Sequence, residues 1–174
     1  MTQSVPKVPF VDLTWQHEPI RDDIHAALTA VLEQGDFVLG GAVKAFETAF
    51  AEATGAAYGV GVGCGTDAIA LGLAACGIGP GDEVLLPANT FVATLIGILR
   101  SGATPIFVDC DRHTALIDLA AAAAAVTAQT RAIVPVHLYG QMVSPSGLRQ
   151  LATAHDLLIY WASFCPFFLE VQCF

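Results

Sequence analysis

The densest chemistry in this sequence lies in Gly63-Cys-Gly-Thr-Asp67, where two glycines precede a hydroxyl and a carboxylate at the head of an apolar run. Upstream, Tyr58-Gly-Val-Gly-Val-Gly63 predicts a buried strand whose glycines let another layer approach the backbone. Gly63 and Gly65 predict a turn with positive φ, a conformation that Cβ-bearing residues resist. Thr66 then falls near a helix N-cap and Asp67 in the first turn. Unpaired backbone N–H groups and the positive end of the helix dipole converge there, which suits a phosphate. A tight strand-to-helix connection with no ligand is the competing reading, since short glycine-rich turns of this kind are common. Two other phosphate motifs fail on residues. A P-loop needs Gly-Lys-Ser/Thr, and the lysines are only Lys7 and Lys44. A dinucleotide fingerprint needs a third glycine where Gly61-x-Gly63-x-x puts Thr66, and an acid closing the next strand, which instead ends in Pro87-Ala-Asn89.

The elements that must position this turn are legible on both sides. Val8 to Asp12 reads as an extended lead-in. From Glu18 to Gln34, Ile20, Ile24, Ala27, Leu28, Val31 and Leu32 keep helical spacing, and Val43, Phe46, Ala49 and Phe50 mark a second helix ending at Gly55. After Gly77 the chain alternates. Strands are predicted at Glu83–Pro87, Thr104–Val108, Arg131–His137 and from Leu157 to Tyr160. The helices between them are capped by Asn89 or Thr90, by Asp118, and by the segment opening at Pro145. Such alternation implies right-handed crossovers and an α/β fold with a mainly parallel sheet and helices on both faces. Ligands in such sheets bind beyond the carboxyl ends of strands, where Gly65, Asn89, Asp109 and His137 fall.

Composition narrows the function. The 174 residues are 55% hydrophobic with a net charge of −9, a pI near 4.7 and a mean hydropathy of +0.62. Seven scattered Lys and Arg exclude the basic surface that nucleic acid requires. Cys64, Cys76, Cys110, Cys165 and Cys173 form no CxxC pair, and no His lies at zinc-finger spacing, so no metal site is assigned. They read as reduced, mostly core thiols of a cytoplasmic protein. The N-terminus lacks the pattern of a secretory signal. The apolar stretch from Val84 to Leu99 is too short and too interrupted by Pro87, Asn89 and Thr90 to span a membrane.

Several of these segments together resemble the DegT/DnrJ/EryC1/StrS aminotransferases. They are Gly65-Thr-Asp-Ala68, Gly77-Ile-Gly-Pro-Gly-Asp-Glu-Val84, Asn89-Thr-Phe-Val-Ala-Thr94, Gly102-Ala-Thr-Pro-Ile-Phe-Val-Asp109 and Pro135-Val-His-Leu-Tyr-Gly-Gln141. Val8-Pro-Phe-Val-Asp-Leu13 and Phe37-Val-Leu-Gly-Gly41 are similar as well, so the likeness runs from about Val8 to Ile159. The resemblance implies the large domain of the aspartate-aminotransferase (type I) fold and pyridoxal 5'-phosphate as cofactor. It further implies a nucleotide-linked keto sugar and an amino-acid donor as partners, and a homodimer. It assigns Gly65, Thr66 and Asp67 to the cofactor phosphate and Phe91 to stacking on the pyridine, although Phe91 reads equally as core on a helix face. His137, Tyr139 and Gln141 would end a strand at the edge of the site; on residue type alone His137 reads as a hydrogen-bonded structural residue.

The likeness stops at Tyr160. There the family continues with Glu-Asp-Ala, and this chain reads Trp161-Ala-Ser163. The aspartate that keeps the pyridine nitrogen protonated would align near Ala162, which cannot do so. The lysine that carries the cofactor would lie beyond Phe174, and Lys7 and Lys44 are far from its place. No catalytic residue is therefore assigned, and the chain is expected to be a truncated, inactive form. Residues 1–57 read as the N-terminal helical segment of the large domain, 58–160 as its incomplete cofactor-binding part and 161–174 as a divergent apolar tail, with the C-terminal small domain absent. A frameshift or decayed gene, an apolar interaction tail and a membrane anchor are the readings of that tail. The alternative role of the chain as a whole is a non-catalytic one, binding phosphate weakly or pairing with an intact homologue.

Overall fold

The computed structural model describes residues 8–161. The chain divides between Gly59 and Val60 into two compact units. In the first, a single helical turn, α1 (Thr14–His17), is followed by a 3₁₀ turn at Glu18–Ile20 and two helices, α2 (Arg21–Gln34) and α3 (Gly41–Thr54). Both long helices end on a left-handed glycine: Gly35 returns its N–H to Val31 O, and Gly55 returns its own to the last turn of α3. The side chain of Asp36 accepts the Gly41 N–H at 2.8 Å, tying the connector to the start of α3. The apolar stripe Ile24, Leu28 and Leu32 on α2 is exposed.

The second unit is a parallel sheet of four strands in the order β2-β1-β3-β4. The strands are β1 (Glu83–Pro87), β2 (Thr104–Val108), β3 (Thr130–Ile133) and β4 (Leu158–Ile159). The helices are α4 (Gly65–Ala75), α5 (Val92–Ser101), α6 (Leu119–Ala125) and α7 (Pro145–His155). From β1 the chain passes through α5 to β2 on one side, then through α6 back across to β3 on the other. Right-handed crossovers therefore set α5 on one face and α6 and α7 on the opposite face. The packing agrees, since α4 lies against α5 and α6 against α7. Covered on both faces, Val84, Leu85, Leu86 and Pro87 of β1 are all buried and join Ile98, Ile133, Val134 and Leu148 in one core. The edge strand β2 carries Pro105, tolerated where no ladder bond is lost, and an exposed Phe107.

The predicted alternation and parallel sheet are observed, with β1, β2 and α7 at their expected bounds; four local expectations are corrected. Residues 58–62 form no strand: Tyr58 is 87% and Val60 80% exposed. A strand exists only by pairing, and none of the described strands flanks this segment. Strand β3 is shorter than expected, because Pro135 has no N–H to extend the ladder. Helix α5 is capped by Phe91 rather than by Asn89 or Thr90. Finally, Cys64 is exposed, and Cys76 and Cys110 are half-buried, so the described cysteines are not core thiols. Cys165, Cys173, Lys7 and Ala162 lie outside the described residues. No helix among the described residues is long and apolar enough to cross a membrane.

Candidate functional site

Helix α4 begins two residues earlier than its sequence suggests. Cys64, extended at φ −165° and ψ 171°, is the N-cap, so Gly65, Thr66 and Asp67 are the first three helical residues. The first helical bond runs from Ala68 N–H to Cys64 O at 3.0 Å. The N–H groups of Gly65, Thr66 and Asp67 precede it and point out of the helix end, together with the positive end of the dipole. Neither Gly63 nor Gly65 has positive φ, contrary to expectation. Gly63 is needed for closeness instead: a Cβ there would stand 2.9 Å from Asp67 Oδ2. A carboxylate beside an anion site would repel the anion, but Asp67 Oδ1 accepts from Arg100 Nη1 at 2.5 Å. The guanidinium offsets that charge.

Two further contacts seat the helix. A Cβ on Gly97 would meet Ile69 side-chain atoms at 2.7 Å and Thr66 O at 3.2 Å, so α5 approaches the first turn of α4 only because Gly97 is bare. On another side, the Tyr160 hydroxyl donates to Ala68 O at 2.6 Å. Phe91 opens the other end of α5, about 9 Å along the helix axis from Gly97. It is 53% exposed, so the ring is not core.

A second cluster forms where the loops after β1, β2 and β3 meet, at the crevice between strands whose connections leave to opposite faces. Asn89 Nδ2 donates to Ala115 O at 3.1 Å, and Gln141 Nε2 donates to Thr114 O at 3.3 Å. The loop they grip is itself a closed turn. Asp111 Oδ1 accepts from Thr114 N–H at 2.8 Å, His113 N–H at 3.0 Å and the Thr114 hydroxyl at 3.1 Å, which holds its carboxyl below the usual range. Ala115 is left-handed at φ 59°, as is Tyr139 at φ 56°. Asp109 Oδ1 is engaged locally, accepting from Cys110 N–H at 2.8 Å. His137 Nδ1 accepts Val143 N–H at 3.0 Å, leaving the proton on Nε2, and burial pushes its pKa down. The Trp161 ring tilts over the imidazole at 5.3 Å and 37°. Among the described residues Trp161 Nε1 is a buried donor with no hydrogen-bond partner.

The structure thus unites Gly65, Thr66 and Asp67 at one helix end and brings Asn89 and Gln141 onto the β2–α6 loop, while His137 is engaged by Val143 and Trp161 instead. Sequence reasoning missed Arg100, Gly97 and Tyr160. A glycine inside an otherwise apolar helix was the available signal for close approach at Gly97; Arg100 and Tyr160 carried none, being 33 and 92 residues from their partners.

A doubly wound module with an anion-directed helix end is a class shared by many enzymes. The comparisons fix the family. A model of the DegT/DnrJ/EryC1/StrS aminotransferase family matches residues 18–161, and the chain belongs to that family. It is 43% identical over 159 residues to a UDP-N-acetyl-3-dehydro-alpha-D-glucosamine 3-aminotransferase of Acidithiobacillus ferrooxidans, covering 91% of this chain and 43% of the relative. Among solved structures, DesV of S. venezuelae in complex with a ketimine intermediate superposes with a TM-score of 0.85 at 40% identity, covering 89% of this chain and 42% of DesV. NtdA from Bacillus subtilis with bound cofactor PMP superposes at 0.82 and 38% identity, covering 91% of this chain and 37% of NtdA. The chain therefore spans about two-fifths of the length of these relatives. The family match ends at Trp161, within two residues of Ile159, the end of the residue-by-residue likeness.

Proposed function

We propose that the second unit is the phosphate-holding part of a pyridoxal-phosphate-dependent aminotransferase. Its lineage, cytoplasmic and homodimeric when intact, aminates nucleotide-linked keto sugars with an amino acid as donor. The start of α4 carries this reading. Three directed N–H groups and a carboxylate offset by Arg100 fit the phosphate end of the cofactor. Gly65 and Thr66 donate to the phosphate through their amides, with the Thr66 hydroxyl as a further donor; Asp67 contributes its amide while its carboxylate stays on Arg100. The exposed Phe91 ring offers a stacking face worth about 1 kcal/mol. Bound pyridoxal phosphate supplies an electron sink for carbanion chemistry. That chemistry needs an amine for covalent attachment and proton transfer, and Lys44 lies on α3 while Lys7 precedes the described residues.

Two measurements test this. In an NMR titration with inorganic phosphate, amide shifts are expected to centre on residues 65 to 67 and to vanish in Gly65→Val. Shifts spread elsewhere, or none in a folded sample, reject the cradle. Mixed with pyridoxal phosphate and reduced with borohydride, the chain is expected to carry no stoichiometric label at a single lysine. Specific labelling of Lys44 or Lys7 that Thr66→Ala abolishes contradicts the assignment. A second reading, association with an intact homologue, draws on the exposed Val92, Ile96 and Leu99 along one face of α5.

A further inference from the structure

We propose that Tyr160 is a positioning residue that fixes the first turn of α4, and with it the aim of the amides of Gly65, Thr66 and Asp67. Its backbone is pinned to the sheet, Tyr160 N–H donating to Ile133 O at 2.9 Å beside β4. Its side chain is 0% exposed and reaches α4 at two points. The ring fills the notch left by Gly72, where a Cβ would stand 2.4 Å from ring Cε2 and from the hydroxyl. The hydroxyl donates to Ala68 O at 2.6 Å. Ala68 is also the residue whose N–H closes the first helical bond, onto Cys64 O. One residue is thereby held from the cap on its amide side and from the sheet on its carbonyl side. Phenylalanine would fill the same space; a buried hydroxyl is a cost unless bonded, so what Tyr160 adds over an apolar ring is direction. Gly97 against Ile69 and Arg100 with Asp67 bound the same turn from α5.

The ligand side of this inference rests on the phosphate reading above, so the experiment separates the two. In the full chain, amide hydrogen exchange and phosphate titration are compared for wild type, Tyr160→Phe and Gly72→Ala, the last displacing the ring from its notch. Tyr160→Phe is expected to hasten exchange at Ala68 and Ile69 while leaving Leu148 in α7 unchanged, and to weaken phosphate binding about three- to tenfold with little change in the unfolding midpoint. Gly72→Ala is expected to hasten exchange at the same amides and weaken phosphate binding likewise, but with a lowered unfolding midpoint, because its methyl meets a fully buried ring. Unchanged exchange at Ala68 and Ile69 in both variants overturns the positioning role whatever phosphate does. Wild-type shifts at residues 65 to 67 with undiminished affinity in Tyr160→Phe overturn its effect on the ligand while leaving the phosphate reading intact. Hastened exchange with no wild-type phosphate shifts supports the positioning role and rejects the phosphate reading alone.

Discussion

At residue scale the site is shaped by glycines that act through proximity. Gly63, Gly72 and Gly97 each stand where a Cβ would strike a neighbouring side chain, and none has positive φ. Gly97→Ala is expected to push Ile69 and the first turn of α4 aside, costing about 1–3 kcal/mol in a urea titration; an unchanged midpoint contradicts the notch. His137 illustrates charge at the same scale. Its imidazole accepts from Val143, packs under Trp161 and is held below its ordinary pKa by burial. The unfolded chain therefore binds this proton more readily, and the associated stability, full above about pH 6.5, is lost as pH falls through that value toward the folded pKa. The urea midpoint is expected to drop between about pH 7.5 and 5.5, and to drop less in His137→Gln, whose amide oxygen accepts the same N–H without titrating.

At the scale of elements, short helices depend on their caps. Helix α6 is an alanine-rich run from Leu119 to Ala125, too short to persist on propensity. The Asp118 side chain accepts from Ala120 N–H at 2.8 Å and Ala121 N–H at 3.1 Å. Asp118→Ala is expected to cost about 1 kcal/mol of stability by denaturant titration, while Ser144→Ala, removing the Oγ that accepts Gly147 N–H at 3.2 Å, acts similarly on α7. Asp118 was legible as the start of its helix because capping is local, whereas Ser144, one residue before the proline that marked α7, was not singled out. The clamp of Asn89 and Gln141 on Thr114 and Ala115 was not legible, since neither donor lies within 25 residues of its acceptor on this chain.

At the scale of the whole molecule, apolar surface is left uncovered. Val92, Ile96 and Leu99 on α5, Leu71 on α4 and Phe107 on the edge strand β2 are exposed in the second unit. Such faces and an unpaired edge favour association. Gel filtration is expected to show self-association or aggregation at micromolar concentration; a monodisperse monomer with a sharply cooperative thermal transition contradicts this.

The alternation of apolar runs with glycine, proline and acidic caps was enough to determine the parallel α/β class, the bounds of β1, β2 and α7, and that a helix opens around Thr66, though not that Cys64 caps it, because periodicity and capping act within a few residues. Tertiary structure alone decided that residues 58–62 form no strand, that Asp67 faces Arg100 and that Tyr160 reaches Ala68. Each of these depends on which distant element, if any, arrives alongside, and local spacing holds no record of that.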